Sequence, residues 1–229
     1  WSNPQDGSSA EIAAYQGTVE VQLSGSDSWE SAESAGEINT GDDIRTGDES
    51  SVVLSFPDES KTLMTPHTEL KILKMSLDVE NGDQIIILRQ DSGRTQNYVQ
   101  PMPSAGSRFE IQTPAATVTV HGTSFSVEVE GDGTTRVAVS EGRVQVAAQG
   151  MTIVLDAGQA TEVVNGNTPS VVVPAPTVVI PTEFATVFTP APSATAGLPR
   201  ENGGTATPQP SSTATKTLTP SATPSAVYV

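Results

Sequence analysis

Cysteine is absent from the 229 residues, and His67 and His121 are the only histidines. Without thiols the chain cannot be a disulfide scaffold or a zinc-thiolate protein, so its stability must come from packing. Two isolated histidines with no ligand cluster beside them argue against a structural zinc site. They also leave little for nucleophilic catalysis, which needs a base beside the nucleophile and an orienting group behind the base. Ser124 lies three residues after His121, a spacing that puts the two on opposite faces of a strand, and no Gly-x-Ser-x-Gly elbow surrounds it. Aromatic residues are 4% of the chain, too few to line a sugar cleft. The acidic pairs Asp42/Asp43, Asp48/Glu49 and Asp58/Glu59 therefore read as turns rather than as converging catalytic carboxylates. No apolar run reaches the roughly 18 to 20 residues that span a bilayer, so no membrane insertion is expected.

Basic residues are scarce as well: 11 Lys and Arg face 27 Asp and Glu, a net charge of −16. The imbalance is local. Residues 1–169 hold 25 acids and 9 bases, and the last 60 residues hold two of each. An acidic surface repels phosphates and anionic lipid heads, which excludes nucleic acid as a partner. Arg45, Arg136 and Arg143 lie among acids and are expected in surface ion pairs, not in a basic track.

Gly, Thr, Ser and Val, which suit sheets and turns, are abundant. Residues 1–16 read as a polar lead-in. Period-two patterns then begin with Val19, Val21 and Leu23 and continue through Ile44, Val52 to Phe56, Leu63 and Leu70 to Leu73, separated by Gly- and Asp-rich turns. Ile85 to Leu88 are apolar in succession, which predicts a central strand or one buried on both faces. From 113 to 165 the alternation is clearest. It changes phase at Gly122, predicting a bulge or sharp bend, and Gly131-Asp132-Gly133 predicts a hairpin turn. The fold class is all-β, a solenoid or sandwich of short strands followed by an extended Pro/Thr-rich tail.

Two blocks resemble the FecR-type domain. One runs Gly36-Glu37-Ile38-Asn39-Thr40-Gly41-Asp42-Asp43-Ile44-Arg45-Thr46-Gly47, then Ser51 to Phe56 and Thr68 to Ile72. The other runs Thr113 to Val118, Gly122-Thr123-Ser124-Phe125, Val137 to Val144 and Ala157-Gly158-Gln159. The resemblance implies an all-β domain outside the cytoplasmic membrane, which in its best-known setting relays a signal from a receptor to a sigma factor. There it works with a cytoplasmic anti-sigma segment, a membrane helix and a receptor-contacting domain, none of which is visible in these residues. Asp58-Glu59-Ser60 departs from the pattern, which often has glycine between the acid and the serine.

The domains expected are 1–16 lead-in, 17–167 FecR-like β domain, 168–192 apolar Pro-interrupted extended segment, and 193–229 Thr/Pro/Ser-rich tail, a solvated spacer with the composition of O-glycosylated stalks. Proline every few residues removes amide donors from the third segment, yet its Val171, Val173, Val178, Ile180, Phe184, Val187 and Phe188 are apolar. Left in water, each large side chain forgoes roughly 1.5 to 3 kcal/mol of burial, so these residues are expected to contact a subunit. The leading expectation is a non-enzymatic, exported structural protein of the cell exterior, its signal or anchor removed, whose partners are copies of itself in a layer or filament. The alternative is a sensor or adaptor of an envelope signalling system with an envelope protein as partner. No cofactor is expected. Calcium on the acidic Gly-containing turns is the remaining ligand class, although no EF-hand loop or nonapeptide repeat is present.

Overall fold

A computed structural model describes residues 9–32, 36–78, 83–102, 104–170 and 173–175. The chain divides into two units, Trp1–Thr189 and Pro190–Val229, and every described residue belongs to the first. No described residue is in an α-helix. The strands, in chain order, are β1 (Ala10–Gln16), β2 (Val19–Gln22), β3 (Glu30–Ser31), β4 (Glu37–Ile38), β5 (Asp43–Thr46), β6 (Ser51–Ser55), β7 (Lys61–Met64), β8 (Glu69–Asp78) and β9 (Asp83–Val99). After the midpoint come β10 (Arg108–Gln112), β11 (Thr117–Val120), β12 (Thr123–Val129), β13 (Thr135–Glu141), β14 (Arg143–Ala148), β15 (Met151–Asp156), β16 (Gln159–Val163) and β17 (Val173–Pro174).

Strand pairing resolves solenoid against sandwich: there are two sheets with one core between them. Sheet A runs β4, β1, β6, β7, the end of β9, β12, β13, β16 and β17. Sheet B runs β3, β2, β5, β8, the start of β9, β10, β11, β14 and β15. The 17-residue β9 belongs to both and passes from B to A at Gly93, which has φ +77°. A Cβ there would lie 2.5 Å from the carbonyl oxygen of His67 and from Thr68 Cα, so only glycine fits. Thr68 closes the crossing, its Oγ1 donating to Arg94 O at 3.0 Å and accepting from Arg94 N at 3.0 Å.

Inward residues of both sheets form one cluster that includes Val21, Ile44, Leu54, Met64, Leu88, Ile111, Val127, Val139 and Val146. Phe109 of sheet B meets Phe56 and Phe125 from the sheet A side edge-on, at 5.7 and 6.4 Å between ring centroids. Each fully buried aliphatic side chain contributes about 1.5 to 3 kcal/mol.

Two elements differ from their sequence pattern, and a third, at Gly122, follows it. The lead-in contains strand β1: Ala10 and Ile12 face the core, and a register shift between Ile12 and Ala14 breaks the alternation that would have marked a strand. The Ile85–Leu88 run is central, between β8 and a parallel β10, but it alternates: Ile86 and Leu88 are buried, whereas Ile85 and Ile87 turn outward and are half-buried. The phase change at Gly122 (φ +127°) is the corner where the chain leaves sheet B after β11 and enters sheet A as β12.

Candidate interaction surfaces

The residues with catalytic chemistry are not brought together. His121 is exposed at the corner before β12, while Ser124 lies opposite Tyr98 in sheet A, and no hydrogen bond links the two. His67 Nε2 meets Asp48 Oδ1 at 3.1 Å with both side chains largely in solvent. The acidic pairs split between different jobs. Asp42 is buried and accepts the amides of Ser24 and Asn39 at 2.7 and 2.8 Å, clamping two turns, and Asp43 pairs with Lys71. Asp58 Oδ1 accepts the Ser60 amide at 2.9 Å, and Glu59 between them has φ +65°, a left-handed conformation that glycine would adopt with less strain. Among the described residues no group of three or more His, Asp or Glu converges as a metal site.

The arginines pair as expected. Arg45 lies between Glu20 (2.8 Å) and the ring of Trp29, 4.1 Å from its centroid. Arg143 Nε is 2.9 Å from Asp156. Arg136 bonds Glu130 and, at 2.8 Å, Glu162; hydrogen bonds to these two carboxylates, Glu130 first, raise its pKa above the ordinary arginine value.

The outer faces of the sheets are unlike. Sheet B turns Glu20, Arg45, Lys71, Arg89 and Glu110 to solvent or half-exposes them. Across the outer face of sheet A runs a cross-strand row in direct register: Ala14, Val53, Leu63, Gln96, Ser126, Ala138, Ala160 and Val173. From Val53 to Ala160 every member is buried, and Val53 and Leu63 are 0% exposed although they point away from the core. Beside it lies a charge ladder, Arg94, Glu128, Arg136 and Glu162. Between ladder and row is a groove of about 340 Å³ floored by Ser126, Ala138 and Ala160 and reaching Val173.

The second surface is an edge. β15 pairs only with β14 among the described strands, leaving its other side open. The Asp156 amide donates to Gln159 Oε1 at 2.7 Å instead of to β14, so by the period of two the Val154 and Thr152 amides point to the open side. Met151 and Val154 are 49% and 47% exposed. An uncharged stretch with bare amides is a template for another strand. Nothing in the sequence marks this edge, because an edge is defined by what fails to pair. The other edges are blunter: β3, β4 and β17 are two-residue strands capping parts of β2, β1 and β16, and Pro174 offers no donor.

Of the apolar residues expected to contact a subunit, Val173 is described. It pairs with Ala160 at the sheet edge and is half exposed. Val171, Val178, Ile180, Phe184, Val187 and Phe188 lie outside the described residues. No helix among the described residues is long and apolar enough to cross a membrane.

Residues 42–145, a little under half of the chain, match the family model described as FecR protein. Two crystal structures of a candidate anti-sigma factor from Parabacteroides distasonis ATCC 8503, at 1.65 and 2.50 Å resolution, each align with 21% identity and a TM-score of 0.49. The alignment covers 58% of this chain and 59% of that one, so this chain spans about three fifths of the neighbour's length. No curated protein matches.

Proposed function

We propose, for a chain that carries a FecR domain over residues 42–145, that the sandwich is a sensor or adaptor module of an envelope signalling system, acting outside the cytoplasm by binding another envelope protein. The FecR match is the observation that carries this reading. The binding mode follows from the open β15 edge: an extended segment of the partner adds as a strand, its backbone satisfying the Thr152 and Val154 amides while Met151 and Val154 receive its side chains. The reading needs no catalytic group and no cofactor, in keeping with the dispersal of His67, His121 and Ser124 and with acids engaged in turns and ion pairs. The net charge of −16 keeps such a module from nucleic acid and anionic lipid.

Self-assembly into a surface layer or filament is the second reading, and the same edge favours it, since β15 of one copy could accept a strand of another. Sedimentation velocity of the purified full chain from micromolar to millimolar concentration separates the two. The adaptor reading expects a monomer throughout. A species that grows with concentration overturns it in favour of assembly.

A further inference from the structure

The strands from β11 to β16 repeat those from β5 to β9. β11 to β14 match β5 to β8, and β15 and β16 match the two halves of β9. Val53 pairs with Leu63 as Val127 does with Val137, and Ile72 pairs with Leu88 as Val146 does with Ile153. The hairpin turns close alike, Asp58 Oδ1 accepting the Ser60 amide at 2.9 Å and Asp132 Oδ1 the Thr134 amide at 2.8 Å. Each repeat passes from sheet B to sheet A at a left-handed glycine, Gly93 (φ +77°) or Gly158 (φ +80°). The neighbours of the two repeats differ in one place. In sheet A, β17 stands beside β16 where β12 stands beside β9: Val173 faces Ala160 as Val127 faces Thr95, both antiparallel. In sheet B, β10 lies beside β9, but no described strand takes that place beside β15. Burial records the gap. Ile86 and Leu88, level with Phe109 and Ile111 of β10, are almost wholly buried, whereas at the matching positions Met151 is half exposed and Ile153 only partly buried.

We propose that the β15 edge takes, in the place of β10, a segment of another envelope protein that runs parallel to β15. The segment carries large apolar residues at two alternate positions and polar residues, basic rather than acidic, between and beside them. The inference rests on the adaptor reading and adds to it the direction, register and pattern of the bound segment. β10 is the template. It pairs in parallel, Phe109 level with Ile86 and Ile111 with Leu88, so the partner's apolar pair falls level with Met151 and Ile153 and completes the end of the core. The residues in the places of Glu110 and Gln112 lie level with Thr152 and Val154, whose amides face the edge. A parallel neighbour cannot be joined to β15 by a hairpin, which suits a strand brought by a separate chain. Charge selects as well. Residues 1–169 hold 25 acids and 9 bases, so an acidic segment is repelled and a basic one drawn in. Ladder hydrogen bonds then supply affinity, and the uncovered Met151 and Ile153 supply the preference for alternate apolar residues.

Because the natural chain has no cysteine, one introduced thiol reports what lies beside the edge. The probe is a synthetic peptide with the sequence of residues 106–113 and Glu110→Lys, made in two forms, one with Arg108→Cys and one with Gln112→Cys. Each is equilibrated with the full-length Val154→Cys chain in a thiol–disulfide buffer. The yield of mixed disulfide is normalised to that with Leu23→Cys, an exposed thiol away from the edge. Parallel binding holds the Gln112→Cys peptide level with position 154 and raises its effective concentration there, for a yield about tenfold or more above that of the Arg108→Cys peptide. Phe109→Ser and Ile111→Ser in the peptide are expected to remove the excess. Equal yields overturn the proposal, as does an excess for the Arg108→Cys peptide, which an antiparallel strand would bring to position 154. An excess that survives the two serines overturns it too. So does a dimer of the natural chain that the peptide dissolves in sedimentation velocity, which would assign the edge to a second copy. The adaptor reading is judged apart, by capture at Val154 in cells. An envelope protein captured there, together with a reversed peptide preference, leaves that reading standing and overturns the parallel strand alone.

Discussion

Thr62 and Asn97 meet inside the sandwich, Thr62 Oγ1 donating to Asn97 Oδ1 at 2.8 Å with neither residue more than 3% exposed. The bond begins a chain that ends on the backbone. Asn97 Nδ2 donates to Thr95 Oγ1 at 3.0 Å, and Thr95 Oγ1 to Gln90 Oε1 at 2.8 Å. Gln90 Nε2 then donates to the carbonyls of Gly93 and Val127. The chain ties β7 of the first half to β9 and β12, and every link is satisfied, which is what makes a buried polar run tolerable.

Removing the middle of this chain leaves hydroxyls without their partner in a dry interior. Asn97→Ala is expected to destabilise by about 2 to 3 kcal/mol, read as a lower urea midpoint with an unchanged slope. Thr62→Val, which keeps the volume and removes one donor, is expected to cost about 1 kcal/mol. Equal effects for the two would mean that the network is not a connected unit.

Gly93→Ala forces a left-handed conformation on an L side chain and drives its Cβ into the His67 carbonyl and Thr68. The expected loss is about 2 to 4 kcal/mol in urea unfolding. Gly150→Ala also sits at positive φ, but its Cβ meets nothing within 4 Å. It should cost less than half as much.

Asp132 in the β12–β13 turn has its pKa lowered, chiefly because its carboxylate accepts the Thr134 amide at 2.8 Å. A carboxyl depressed in the folded state stabilises fully above its unfolded value near about 3.9 and loses that contribution as pH falls through the folded value. The stability difference between the natural chain and Asp132→Ala should therefore be present at neutral pH and shrink in acid. An NMR titration should find the Asp132 carboxyl midpoint below the ordinary aspartate value.

The strands from 117 to 156 were legible because Val118, Phe125, Val137 and Val144 each open a period-two run bounded by glycine. The Gly122 phase change marked a true corner for the same reason. What stayed hidden was long-range. Arg108–Gln112 is a short, half-polar strand whose place is fixed by parallel pairing with Ile85–Arg89, and nothing local announces that partner. The choice between solenoid and sandwich likewise depended on β9 serving two sheets through Gly93. The row across the outer face of sheet A was hidden too: it is drawn from eight strands, and Ser126, Ala138 or Ala160 alone carries no signal.

The β15 edge can be closed without touching the core. Val154→Lys places a charge on an exposed position of the open strand, a common guard against edge pairing. Thermal stability is expected to stay within about 0.5 kcal/mol of the natural chain, with partner capture lost.

The most direct test of the adaptor account is a photo-reactive amino acid at Val154 in the full-length protein, irradiated in the cells that make it, with adducts sized and sequenced. The account predicts one dominant adduct to a different envelope protein, abolished by Thr152→Pro on the same edge. Adducts formed only between copies of this chain, or none at all, would contradict it.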